Sequence, residues 1–112
     1  MQTVTDDEMK ARIGQTRVYS AVILKKTAKY AEPGSQAIVW EHGRKNFQLK
    51  DAGLLPIVCP VTDGGEVSGI GIFTGSPEEV KAILDVDPGV AAGIFTYEIH
   101  TCRGFPGSML PG

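Results

Sequence analysis

The chain has 112 residues, 42% of them hydrophobic, and a formal net charge of −2. That length and apolar content fit one packed domain and leave little room for a second. The near-balanced charge excludes the basic footprint of a nucleic-acid-binding protein, and no apolar run approaches the roughly 20 residues that cross a bilayer.

Residues 1–16 read as an N-terminal extension. Its opening, MQTVTDDEMKAR, is polar and acidic, unlike a secretory signal, so the cytoplasm is the expected compartment. Thr5 with Glu8 forms a capping-box pattern and predicts a short helix from Asp6 to Ile13, ended by Gly14. Val18 to Lys26 predicts a strand, with Val22, Leu24 and Lys26 alternating against Ala21, Ile23 and Lys25. The stretch KKTAKYAEPGS is a polar connection broken by Pro33-Gly34.

A helix is predicted from Ser35 to Ala52, with Ser35 as its N-cap and Gly53 just past its end. At about 100° per residue, Ile38, Val39, Trp40, His42, Phe47 and Leu49 gather on one side and are predicted to face inward. Glu41, Arg44, Lys45, Gln48 and Asp51 fall on the side toward water. Leu54 to Val61 is a short apolar run with strand propensity. Thr62-Asp63-Gly64-Gly65 signals a hairpin, and Val67 to Thr74 is the return strand. Its internal glycines allow another backbone or a ligand to approach closely.

Ser76-Pro77-Glu78-Glu79 opens a second helix with an N-cap, a proline at the first position and acids in the first turn. Val80, Ile83 and Leu84 turn inward, and the helix stops before Asp87-Pro88. Gly93 ends the linking turn, Ile94 to Cys102 is the last strand, and residues 105–112 form a flexible Gly/Pro-rich tail. The order β-α-β-β-α-β over residues 17–104 predicts an α+β, ferredoxin-like domain: a four-stranded antiparallel sheet with helices on one face. The other face, apolar and uncovered, calls for a second copy. A homodimer about a two-fold axis, closing a shared barrel, is therefore expected.

Few residues offer chemistry. Cys59 and Cys102 are too few for a disulfide framework or a zinc knuckle and read as free thiols. Each is most simply a small buried hydrophobe; the sharper reading makes Cys59 a nucleophile, although no base stands beside it in sequence. His42 is either a core histidine held by a hydrogen bond or a general acid-base, since imidazole titrates near neutral pH. Asn46, four residues on, shares its side of the helix, and two polar groups in an apolar arc suggest a polar pocket. Asp87 is a natural cap for the turn after it and a natural orienting group for His42, and one carboxylate can do both. Tyr19, Tyr97 and His100 read as sheet-surface or interface residues. Asp63-Gly64-Gly65 lacks the further acids of a calcium loop, GIGIFTG lies within a strand, and no Walker motif occurs. No metal and no cofactor are predicted.

Four segments then carry a resemblance. These are EHGRKNFQLKDAG with Gly53 eleven residues after His42, LLPIVCP, SPEEVKAILDVDP with Ser76 eleven residues before Asp87, and DPGVAAGIF. In this order and spacing the chain resembles the YCII-related family of small bacterial proteins, from about Val18 to Arg103. The resemblance implies a dimeric α/β-barrel with an active site built on a histidine and an aspartate, here His42 and Asp87. It also implies chemistry on small enolisable or aromatic molecules: one characterised relative is a dehydrochlorinase acting on a chlorinated hydroxyhydroquinone, and related barrels include lactone isomerases and cofactor-free oxygenases. Cys59 stands where the family usually has glycine, which narrows the pocket or adds a thiol to it. Gly89 stands where an aromatic residue usually follows Asp-Pro, which would widen it.

The expected function is that of a cofactor-independent lyase or isomerase-like enzyme. His42 would move a proton on a small cyclic or aromatic substrate, oriented by Asp87, with Asn46 and Cys59 contacting that substrate. The rivals are a small-molecule-binding module without turnover and a structural or accessory dimer, in which the His42–Asp87 bond is internal and no cavity adjoins it.

Overall fold

The computed structural model describes residues 1–112. Helix α1 (Asp6–Gly14) begins with the reciprocal cap that its sequence predicts: the Thr5 hydroxyl accepts from the Glu8 amide at 3.2 Å while the Glu8 carboxylate accepts from the Thr5 amide. It buries no residue, and it closes on Gln15 in a right-handed conformation rather than on Gly14.

Four strands, β1 (Arg17–Lys26), β2 (Ile57–Pro60), β3 (Val67–Phe73) and β4 (Phe95–Gly104), pair antiparallel in the order β2-β3-β1-β4. Helices α2 (Ser35–Asp51), α3 (Pro77–Asp85) and α4 (Pro88–Ala91) complete the α+β, ferredoxin-like arrangement. Strand alternation sorts the side chains. Val22 pairs with Gly71 and Ile99, and Gly71 pairs with Val58; this row faces the helices. There Val22, Leu49, Leu55, Phe73, Val80 and Leu84 form the main core, and Leu24, Ile94 and Phe95 form a second cluster beside it. The alternate rows, Ile57–Ile72–Ala21 and Cys59–Ile70–Ile23, face away from the helices, and Ile70 there is 46% exposed.

The boundaries differ from expectation in two informative places. Gly34, at φ 85°, is the N-cap of α2, and Ser35 is its first residue. The buried Ser35 hydroxyl donates to the Lys29 carbonyl at 2.6 Å instead, tying the helix to the preceding 3-10 turn (Ala28–Ala31). The inward stripe of α2 is also narrower than the apolar arc predicts. Ser35, Ile38, Val39, His42, Asn46 and Leu49 occupy it, whereas Trp40 and Phe47 are 71% and 67% exposed. Three of those six inward positions are therefore polar, and the two largest apolar side chains of the helix lie on its outer surface. No helix of the chain is long and apolar enough to cross a membrane.

Candidate functional site

Helix α4 is one turn long, and Asp87 is its N-cap. Oδ2 accepts from the Gly89 amide at 3.0 Å and the Val90 amide at 3.2 Å. The same carboxylate meets Nδ1 of His42, 2.9 Å from each oxygen. Capping and orienting are thus done by one group. Asp87 is only 3% exposed, so the imidazole and two backbone amides replace the water that a buried carboxylate requires. The Phe95 ring packs against the imidazole with centroids 4.9 Å apart.

A carboxylate on Nδ1 fixes the tautomer of a neutral imidazole: Nδ1–H donates and Nε2 keeps its lone pair. Asn46 Nδ2 lies 3.3 Å from Nε2 and donates to it. If Nε2 takes up a proton, Asn46 can turn its amide over and accept through Oδ1. Asn46 therefore serves both protonation states from one position on α2.

His42 and Asn46 line a cavity of about 370 Å³ between α2 and the helix-facing side of β1–β3, walled otherwise by mainly apolar groups including Val39, Leu55, Val58 and Phe95. This open space is what a purely internal His–Asp pair would lack. Gly69 and Gly71 belong to the same wall. At Gly71 the close neighbour is a side chain, since an added Cβ would fall 2.9 Å from Leu55 Cδ1.

Two sequence expectations are corrected here. Cys59 does not line the cavity: it pairs with Ile70 on the row facing away from the helices, and Val58, one residue earlier, takes the cavity side. Gly89 does not widen the cavity either. A Cβ there would lie 2.5 Å from Phe95 Cδ2, so the Phe95 ring already fills the space beside it. His100 and Cys102 lie on the open face with Cys59, and both cysteines are free.

Tyr97 is not an open-face residue. It pairs with Leu24 on the helix-facing row, and its hydroxyl donates to Asp85, 2.5 Å away. Hydrogen bonds from Lys81 and Tyr97 hold the Asp85 carboxyl below its ordinary range. The bond to Asp85 in turn raises the Lys81 ammonium, and it raises the Tyr97 phenol. No group of three His, Cys, Asp or Glu side chains is placed to hold a metal ion.

The cavity adds Phe95, Tyr30 and Lys26 to the residues singled out in the sequence. The signal for Lys26 was its strand parity with Val22 and Leu24. Phe95 had no comparable signal, because its role depends on the empty position at Gly89. A second, wider groove between α1 and the tail, lined by Arg12, Arg17 and Phe105 among others, contains none of these groups.

No family model and no curated protein matches the chain. Among solved structures it is similar to 5-chloro-2-hydroxyhydroquinone dehydrochlorinase from Burkholderia phenoliruptrix AC1100, in complex with 2,5-dihydroxybenzoquinone, with a TM-score of 0.52 and 19% sequence identity over 80% of this chain and 95% of that one. At that identity the likeness establishes a shared fold.

Proposed function

We propose that this protein is a cofactor-independent lyase or isomerase-like enzyme acting on a small cyclic or aromatic molecule. The observation that carries this reading is an imidazole that lines a mainly apolar cavity while a buried carboxylate holds its Nδ1. With the Asn46 amide swung off the Nε2 lone pair, Nε2 takes a proton from an acidified C–H or O–H of the substrate, and Asp87 stabilises the imidazolium that forms. The electron pair left behind either expels a leaving group, which gives a lyase, or is reprotonated by His42 at another atom, which gives an isomerase. Such acid-base help is worth roughly 10²- to 10⁴-fold in rate. The fold shared with a dehydrochlorinase of a hydroxylated ring agrees with this chemistry.

The assembly is part of the proposal. Ile23, Ile57, Ile70 and Ile72 share the face that no helix covers. A second copy packed sheet to sheet about a two-fold axis would bury that patch.

Proton transfer is tested without knowing the full reaction. Small hydroxylated quinones and cyclic ketones are incubated with the protein in deuterated water, and exchange at carbon is followed by proton NMR. The wild-type protein should accelerate exchange and His42→Gln should abolish it. A folded His42→Gln variant that exchanges at the wild-type rate contradicts the assigned role. Saturable binding with no exchange supports a binding module instead.

A further inference from the structure

The charged groups around the cavity are arranged asymmetrically. No aspartate or glutamate lines it; Asp87 lies behind the imidazole, with its oxygens engaged by His42 and two backbone amides. Apart from the imidazole, Lys26 is the one ionisable cation in the wall. It is half-buried on the last helix-facing position of β1, in the row of Val22 and Leu24. Its ammonium donates to the Gly65 carbonyl at 3.2 Å and sits 5.0 Å from the centre of the Tyr30 ring. The other lysines and arginines that form ion pairs, Lys25, Arg44 and Lys81, pair with Glu98, Glu41 and Asp85; Lys26 has no carboxylate within 4.0 Å.

An ammonium has three N–H donors, and one carbonyl and one ring face leave donor capacity unused. The carbonyl and the ring hold the group in place without cancelling its charge. A positive group at the edge of an apolar, carboxylate-free cavity selects anions, because charge-assisted hydrogen bonds strengthen where water is thinned.

We propose that Lys26 is an anion subsite, and that the cavity takes small cyclic acids: molecules with an apolar ring body and an anionic oxygen held by the Lys26 ammonium. The anionic oxygen belongs to a carboxylate on that ring. This rests on the reading of the cavity as a substrate site and adds what the substrate carries. Lys26 fixes the ring's orientation and thereby which ring position faces Nε2 of His42.

The test uses an isosteric pair of probes, 2,5-dihydroxybenzoate and 2,5-dihydroxybenzamide, titrated into the full-length protein by calorimetry. The wild-type protein should bind the acid about tenfold more tightly than the amide. Lys26→Met keeps the aliphatic stem and removes the charge; it should bring the ratio close to one by weakening the acid alone. Lys26→Arg should retain the preference. Equal affinities in the wild type, a preference that survives Lys26→Met, or no binding of either probe at millimolar concentration overturns the subsite. The two readings fail separately. Deuterium exchange without a charge preference removes the anion subsite and leaves proton transfer intact. A charge preference that persists in His42→Gln, with no exchange in the wild type, supports the subsite and removes the enzyme.

Discussion

Val58 and Cys59 are adjacent in β2, yet they belong to different environments. Val58 joins the row of Gly71 and Val22 against the helices, while Cys59 joins Ile70 and Ile23 on the uncovered side. The polar groups of the two faces differ in the same way. On the helix side, buried Asp87 engages half-buried His42 and two backbone amides. On the open side, Glu98 reaches Lys25 at 3.1 Å and His100 at 3.8 Å in exposed, screened pairs. A polar residue acquires a sheltered, partnered setting here by the face on which its element places it, and residue type alone does not supply it.

The sharpest way to break this contrast is to remove one acid from each face. Asp87→Ala leaves an imidazole and two amides unpartnered in a buried place, and should cost about 3–5 kcal/mol in chemical denaturation. Asp87→Asn should cost less, because its amide oxygen still caps α4. Glu98→Ala should cost at most about 0.5 kcal/mol. Similar losses for Asp87→Ala and Glu98→Ala would erase the distinction between the faces.

A second comparison sets packing on one face against assembly on the other. Gly89→Ala forces its Cβ into the Phe95 ring and should destabilise the protein by about 1–3 kcal/mol. Adding Phe95→Ala should recover part of that loss and enlarge the cavity. If the open face is the interface of the proposed dimer, Ile70→Lys with Ile72→Lys should leave the fold of each protomer intact but shift light scattering from dimer to monomer, since the two added charges would face their copies across the axis. A smaller effect belongs to Cys59→Ser, which should leave ligand affinity within about twofold, as expected of a position away from the site.

The least effect is expected at the exposed cluster of Lys81, Asp85 and Tyr97. Asp85 is held low, so its stabilisation is present above the ordinary carboxylate range and is lost as pH falls through its lowered value. Lys81 and Tyr97 are held high, so theirs is present below their ordinary ranges and is lost as pH rises through their raised values. Asp85→Asn should flatten the stability profile slightly at both extremes, and high salt should reduce the difference.

Much of this architecture was legible because it follows from local rules. The capping box at Thr5, the N-cap at Ser76, the Asp63-Gly64-Gly65 turn and the alternation of β1 and β3 each act over a few residues. That Asn46 lies beside His42 was legible from helix spacing, whereas the meeting of His42 with Asp87, 45 residues away, was implied by the family resemblance. Trp40 and Phe47 were misplaced because hydrophobicity alone defined the buried arc, whereas Ser35, His42 and Asn46 hold the inward positions through hydrogen bonds. Cys59 was misplaced because a four-residue strand gives little alternation from which to read parity. Gly89 could be understood only once Phe95 was seen beside it.

The central claim concerns one ring nitrogen, and long-range proton–nitrogen correlation NMR of the imidazoles tests it directly. His100→Gln leaves His42 as the only histidine, which makes the assignment unambiguous. The account predicts that neutral His42 is protonated at Nδ1 and bare at Nε2, and that binding of 2,5-dihydroxybenzoate perturbs Nε2 first. A neutral His42 protonated at Nε2, or an Nε2 resonance indifferent to a bound ligand, would contradict it.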